Sequence, residues 1–235
     1  MAKFAFLRAF SFLISAIVCA AFTCPSVVFA EPCSGEVTTT TPAPPTDLSR
    51  RLLFLERLKQ AVSADVDLIL VGDSLAQAWD ATMFGPMSVV NLGVGGDRTQ
   101  DVLWRLASPE WSKLRPRNVL IMLGTNNLSA GDQACAIIAG LIKVKARVAS
   151  LWPSAQISFL EITPRGQEFL DYNSVRTEIN TALRNVPGVR TINVDDELTC
   201  GWQERCSNYQ PDHLHFSQAG YEVIYKSVKS VLFGK

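Results

Sequence analysis

The sequence has no excess of charge of either sign, since its 235 residues include 22 Lys and Arg against 22 Asp and Glu. Proteins that bind nucleic acid usually carry a clear basic excess, so this balance gives no support to that class of partner. Apolar residues are not scarce and make up 48% of the chain. The composition therefore predicts a globular protein with a sizeable core rather than a disordered chain.

Beyond residue 30 the sequence lacks any apolar run near the ~20 residues that a membrane-spanning helix needs. Residues 1–30 differ, because Lys3 and Arg8 precede a mostly apolar stretch that ends in Val28-Phe29-Ala30. A basic N-terminal region, an apolar middle region and small residues before the cleavage site are typical of a secretory signal peptide. Cleavage is expected after Ala30. We expect an exported protein, periplasmic or extracellular, with no stable membrane anchor after cleavage. An uncleaved anchor is the alternative.

Cysteines and histidines are few. Two of the six cysteines would leave with the signal peptide, and the rest remain where disulfides persist: Cys33, Cys135, Cys200 and Cys206. Four cysteines allow three pairings, and the short separation of Cys200 and Cys206 favours a loop between them, with Cys33 and Cys135 as the complement. A zinc site is the alternative, but there is no C-x-x-C pair and there are only two histidines. We expect no metal.

The chain after residue 30 divides into a short leader and one long domain. Residues 31–47 are rich in Thr and Pro and predict an extended linker without chemistry. Residues 48–64 predict an amphipathic helix with apolar positions at Leu52, Leu55, Leu58 and Val62. The domain is expected to span residues 48–235.

Within that domain, short apolar runs typical of buried parallel strands alternate with helical stretches. The runs are residues 67–71, 88–91, 118–123, 155–160 and 190–194, and the helical stretches are 99–107, 131–151, 172–185 and 217–233. Such alternation favours right-handed βαβ units. The sequence therefore predicts a three-layer α/β/α fold with a five-stranded parallel sheet.

In such sheets ligands bind at the carboxyl ends of the strands, so the residues just after each run are the informative ones. The polar segments at these positions, together with one before the last helix, are Gly72-Asp73-Ser74-Leu75, Asn91–Asp97, Gly124-Thr125-Asn126-Asn127 and Asp212-His213-Leu214-His215. All of them are expected to meet at one edge of the sheet.

Ser74 is predicted to lie at a strand-to-helix turn, where its hydroxyl enters a crevice and its N–H stays unpaired. This placement suits a nucleophile whose own amide stabilises an oxyanion, although a helix cap is the alternative. Asp73 is expected to order the turn and to transfer no proton. A base must be His213 or His215, and the three-residue spacing of Asp212 and His215 favours His215, with His213 pointing elsewhere.

The remaining polar positions suit the binding of a developing negative charge. The glycines of Asn91–Asp97 lack the Lys-Ser/Thr of a P-loop and the G-x-G-x-x-G of a dinucleotide fold, but glycine also lets an N–H approach an oxyanion. Asn126 adds an uncharged amide donor. Arg98 and Arg105 are expected to be solvated or paired, and Trp79, Phe84 and Trp104 to be core residues rather than an acyl pocket.

Taken together and in order, the four segments resemble the blocks of the SGNH (GDSL-type) hydrolase superfamily, from about Leu68 to Tyr221. The resemblance implies a flavodoxin-like SGNH fold and a Ser74, Asp212, His215 triad. It also implies that Gly96 and Asn126, with the Ser74 amide, form the oxyanion hole. Gly95–Leu106, Gly124–Asn127 and Pro164–Gly166 look like blocks of the catalytic α subunits of platelet-activating-factor acetylhydrolase, which makes a homodimer an open possibility.

The expected function is that of an exported serine esterase that removes short acyl groups, above all acetyl, from a carbohydrate or a lipid without a cofactor. A longer-chain lipase, lysophospholipase or thioesterase on the same scaffold is the alternative enzyme. A third hypothesis is a glycan-binding protein without activity, against which the four polar residues Ser74, Asn126, Asp212 and His215 argue.

Overall fold

The computed structural model describes residues 33–59, 64–203 and 206–234. The predicted signal peptide and Val62 lie outside these residues. Within them there is no helix that has both the length and the apolar content to cross a membrane.

A five-stranded parallel sheet forms the centre of the molecule, and its strand order is β2-β1-β3-β4-β5. The strands are β1 (Ala64–Gly72), β2 (Val89–Asn91), β3 (Leu114–Met122), β4 (Gln156–Leu160) and β5 (Arg190–Ile192). Leu68 of β1 lies opposite both Val89 of β2 and Asn118 of β3, so the register is continuous across the first three strands. The predicted parallel sheet and fold class are confirmed.

Helices cover both faces of the sheet because alternate residues of each strand point to opposite faces. The α-helices are α1 (Glu36–Thr40), α2 (Leu48–Lys59), α3 (Ser74–Gln77), α4 (Thr99–Arg105), α5 (Thr125–Ser129), α6 (Ala134–Leu151), α7 (Asn173–Arg184), α8 (Asp195–Leu198) and α9 (Gln218–Phe233). Ile69 and Val71 of β1 pack in one core cluster with side chains of α2, α4, α6 and α7. Leu68 and Leu70 pack in the other with side chains of α3, α8 and α9.

Helix α2 turns a different face to the core from the one predicted. Leu52 and Leu55 are 55% and 48% exposed, whereas Phe54 is 6% exposed. The ring of Phe54 lies 5.0 Å from that of Trp104 and 6.2 Å from that of Trp111. The aromatic ring fills the space between two other rings, and this packing determines the rotation of the helix.

The segment predicted as an extended linker, residues 31–47, contains helix α1, so the prediction is wrong for residues 36–40. Thr39 is fully buried, and its Oγ1 donates to the carbonyl oxygen of Ala136 at 2.6 Å. Threonine has no large apolar surface, but its hydroxyl finds a partner on α6 and can therefore be buried. A contact with a distant helix is not visible in the local sequence pattern.

The structure pairs Cys33 with Cys135 and Cys200 with Cys206, the arrangement that the spacing favours. The first bridge joins the residues before α1 to the second residue of α6 over a sequence separation of 102. The second closes a loop with a separation of 6. The long bridge therefore restricts far more of the unfolded chain than the short one.

We predict that the Cys33→Ser/Cys135→Ser double variant loses about 4–5 kcal/mol of unfolding free energy, against about 2 kcal/mol for Cys200→Ser/Cys206→Ser, because loop-closure entropy grows with loop length. Urea denaturation of the two double variants and the oxidised wild type measures the difference. Equal losses for the two variants would contradict the prediction.

Candidate active site

The structure brings Ser74, His215 and Asp212 into one hydrogen-bonded line. His215 Nε2 lies 2.9 Å from Ser74 Oγ, and His215 Nδ1 lies 2.6 Å from Asp212 Oδ2. Ser74 is the first residue of α3, directly after β1, as the strand-to-helix interpretation requires. The imidazole thus stands between a hydroxyl and a carboxylate, which is the arrangement of a general base beside a nucleophile.

The Asp212 carboxylate orients the imidazole through a turn rather than through the helical turn that its spacing predicts. Its Oδ1 accepts the backbone N–H groups of Leu214 at 3.0 Å and His215 at 2.9 Å, while Oδ2 faces the ring. His213 between them has a left-handed backbone with φ of 51°. The carboxylate itself therefore holds the segment in shape.

Hydrogen bonds stabilise the ionised form of Asp212. Desolvation alone would raise the pKa of this carboxyl, but the hydrogen bonds from the His215 ring and from the two backbone N–H groups outweigh it and lower the pKa to about 2. The carboxylate is therefore ionised throughout the pH range in which an imidazole gains or loses its proton, and it stabilises the imidazolium form.

Three N–H groups are the candidate donors to an oxyanion beside Ser74. The N–H groups of Ser74 and Gly96 donate to no other group within the described residues. Gly95 lies against the nucleophile, because a Cβ added to it would stand 3.7 Å from Ser74 Cβ. Gly96 has φ of 75°, a left-handed conformation that glycine adopts without strain.

Asn126 on α5 supplies the side-chain donor. Its Nδ2 donates to the carbonyl oxygen of Asp97 at 3.0 Å. A primary amide carries two hydrogens on that nitrogen, so the bond to Asp97 fixes the orientation of the group and leaves the second hydrogen for a ligand. The predicted site residues Ser74, Gly96, Asn126, Asp212 and His215 thus lie on the segments that converge at this edge of the sheet.

Sequence reasoning missed the residue that joins these segments, which is Asp97. Its side chain is fully buried and accepts from Arg105 Nε and from Arg50 Nη2, each at 2.6 Å. Arg105 also donates to the carbonyl oxygens of Leu92 and Gly72, at the ends of β2 and β1. The only signal in the sequence was an acidic residue directly after the glycines, followed by arginine eight positions later.

Arg165 anchors α5 directly. Arg165 Nη1 donates to the Thr125 carbonyl oxygen at 3.2 Å, to Thr125 Oγ1 at 2.9 Å and to Ser129 Oγ at 2.7 Å. It belongs to the Pro164-Arg165-Gly166 block and follows β4. Its role is therefore to hold the short helix that carries Asn126.

The other candidates are structural. Trp79 and Phe84 are 2% and 1% exposed, and Trp104 packs on Phe54, so these aromatic rings belong to the cores. Arg105 is paired and buried as described above. In the described part of the chain no three His, Cys, Asp or Glu side chains come together in a group that could hold a metal ion.

Asp73 caps α3 and is fully buried beside the nucleophile. Its Oδ1 accepts the N–H of Leu75 at 3.0 Å, while its Oδ2 has no partner among the described residues. Burial away from water disfavours the charged form and raises the pKa of this carboxyl to about 7. The ordering of the turn expected for this residue agrees with the bond to Leu75.

Comparisons with known proteins relate the sequence to one family of hydrolases. The sequence model of the GDSL-like lipase/acylhydrolase family matches residues 70–223. Platelet-activating factor acetylhydrolase IB subunit alpha1 of Rattus norvegicus is 30% identical over 175 residues, which cover 71% of this chain and 75% of that protein.

Two solved structures share the fold. One is a putative platelet activating factor protein from Streptococcus pneumonia, with a TM-score of 0.66, 20% identity and coverage of 78% of this chain and 92% of that one. The other is a carbohydrate esterase family 3 protein from Talaromyces cellulolyticus, with a TM-score of 0.52, 18% identity and coverage of 71% and 96%.

We predict that the stability of the wild type falls, relative to Asp73→Asn, as the pH rises from about 4 to about 7. In the unfolded chain the pKa of an Asp carboxyl is 3.8, whereas burial in the folded protein raises the pKa of Asp73 to about 7. In that window the folded state binds more protons, so its stability decreases with pH, by about 4 kcal/mol in all.

The measurement is urea denaturation of both proteins at pH 4, 5.5 and 8. Asparagine stays neutral at every pH, so all other titrating groups cancel in the comparison. A stability difference that does not change with pH would show that Asp73 is ionised in the folded state.

Proposed function

The chain belongs to the GDSL-like lipase/acylhydrolase family, and on that premise we propose that it is an exported serine esterase that removes short acyl groups, above all acetyl, from a carbohydrate or a lipid. The observation that carries the proposal is the continuous line from Asp212 through His215 to Ser74 Oγ. Further support comes from the N–H groups of Ser74 and Gly96, which have no acceptor among the described residues, and from Asn126 Nδ2, which uses only one of its two hydrogens in the bond to Asp97.

The reaction follows from these positions. His215 Nε2 takes the proton of Ser74 as Oγ attacks the ester carbonyl carbon, and Asp212 stabilises the imidazolium that forms. The carbonyl oxygen becomes negative and accepts hydrogen bonds from Ser74 N–H, Gly96 N–H and Asn126 Nδ2. The alcohol leaves with the proton from His215. Water then attacks the acyl-serine while His215 takes its proton; the bond between the acyl carbon and Ser74 Oγ breaks, the acid leaves, and His215 returns the proton to Ser74.

The acyl preference is supported by the names of the relatives. The curated relative that matches over 75% of its length is an acetylhydrolase, a name that refers to the removal of an acetyl group. The carbohydrate esterase structure keeps a sugar ester among the candidate substrates.

Export is supported by the two disulfides, since such bridges persist in oxidising compartments and are rare in the cytosol. The proposed signal peptide, with cleavage after Ala30, is tested by sequencing the N-terminus of the exported protein. Glu31 is the expected first residue, and an intact Met1 would contradict cleavage.

We predict that Ser74→Ala abolishes hydrolysis of p-nitrophenyl acetate and labelling by a fluorophosphonate probe, and that Asn126→Ala lowers kcat by about 10²–10³, the usual cost of one oxyanion donor. Steady-state kinetics on the purified proteins measure both effects. Ser112→Ala is the matched control, because Ser112 is an exposed serine whose hydroxyl donates to the carbonyl oxygen of Pro109. Wild-type rates in Ser74→Ala would overturn the proposal, and glycan binding without labelling would favour a binding protein.

We also predict that kcat/KM on p-nitrophenyl esters is highest for acetate and falls by about tenfold or more by octanoate, since methylenes that an acetyl-selective site does not accommodate cost at least this much. A panel from acetate to palmitate, with acetylated sugars beside acetylated phospholipids, measures acyl length and alcohol preference together. A maximum at long chains would identify a lipase or thioesterase instead.

A further inference from the structure

The residues that precede the range matched by the family model make specific contacts with the rest of the domain. We define the strap as residues Cys33 to Arg50, which precede the matched range of 70–223. It is tied to α6 by the Cys33–Cys135 disulfide and by the buried bond from Thr39 Oγ1 to the Ala136 carbonyl oxygen. These two attachments hold the strap on the body of the domain.

The strap reaches the oxyanion donor through Thr99, the first residue of α4. Thr99 is fully buried, and its Oγ1 donates to the Thr39 carbonyl oxygen at 2.8 Å. Its N–H donates to Asn127 Oδ1 at 3.0 Å. Asn127 is the neighbour of Asn126 on α5, so a short chain of contacts connects the strap with the proposed donor.

The other end of the strap reaches the same donor by a second route. Arg50 Nη2 binds Asp97 Oδ1 at 2.6 Å and Asp101 Oδ2 at 2.9 Å. The carbonyl oxygen of that same Asp97 accepts from Asn126 Nδ2. Asn126 is therefore fixed on two sides by groups that the strap contacts.

The surface of α6 is shaped to admit the strap. At Gly140 an added Cβ would stand 2.6 Å from Thr99 Oγ1 and 2.9 Å from the Thr39 carbonyl oxygen. Both distances are too short for real atoms, so a larger residue would separate Thr39 from Thr99. Alanine favours a helix more than glycine does, so the presence of glycine here marks a close contact rather than a helical preference.

We propose that Thr99 is a positioning residue of the oxyanion hole, through which the disulfide-tied strap holds Asn126 in place. This rests on the proposed esterase function. An oxyanion donor acts only if its hydrogen already points at the developing charge, because a donor that must reorient stabilises the transition state less. Thr99 touches no reacting atom and acts through Asn127 and Asn126.

The test is Thr99→Val, which keeps the shape of the side chain and removes the hydroxyl. We expect kcat on p-nitrophenyl acetate to fall about tenfold, less than the loss of a whole donor, with KM unchanged. Thr99→Ser, which restores the hydroxyl, is expected to recover most of the rate. Thr177→Val is the matched control, because Thr177 also donates to a backbone carbonyl oxygen, that of Asn173, on the exposed face of α7.

A double-mutant cycle separates positioning from general damage. In the Asn126→Ala background, Thr99→Val has no donor left to misplace and is expected to cause no further loss of kcat. The same tenfold loss in both backgrounds would overturn the proposal. If Thr99→Val does not fold, Gly140→Ala and Cys33→Ser/Cys135→Ser are carried through the same cycle with the same expected result.

The Ser74→Ala control distinguishes the two levels of inference. The role of the strap is refuted if the Ser74-dependent activity is unchanged in Thr99→Val, in Gly140→Ala and in the disulfide variant. The esterase function would still stand in that case. An absence of Ser74-dependent activity in the wild type would refute both.

Discussion

The geometry of the site depends on the burial of one charge, the carboxylate of Asp97. A fully buried carboxylate must be paired, and here Arg105 and Arg50 pair it. The position of Arg105 is fixed as well, because its guanidinium donates to the carbonyl oxygens at the ends of β1 and β2. The backbone carbonyl of Asp97 then orients Asn126. One residue thus connects the strand before Ser74, the glycine loop and the amide of Asn126.

The two halves of the site are built differently. The proposed oxyanion donors are supported by buried groups, since Asp97 and Thr99 are both 0% exposed. The base side is open, with side-chain exposure of 31% for His215 and 48% for Asp212. It is shaped by short-range bonds within the 212–215 turn and by the bond from the Gly166 N–H to the His213 carbonyl oxygen. A rigid group of donors beside a more accessible imidazole suits the proposed reaction, in which an alcohol leaves and water enters.

The strands, the main helices and the position of Ser74 between a strand and a helix could be predicted because each follows from a local pattern. Buried parallel strands appear as apolar runs, and polar residues after them lie at one edge. The pairing of Asp97 with Arg105 and Arg50 could not be predicted, since nothing local distinguishes a buried arginine from a solvated one. Helix α1 was missed for the same reason, because a threonine becomes a core residue only through a partner on a distant helix.

The buried place of Thr39 has a consequence for the order of assembly. Its contacts come from Ala136 and Thr99, which are 97 and 60 residues further along the chain. The surface that Thr39 contacts is complete only when α4 and α6 have packed on the sheet. Contacts between residues so far apart in sequence form slowly. Within the described domain, the segment around Thr39 is therefore synthesised first but is among the last to pack.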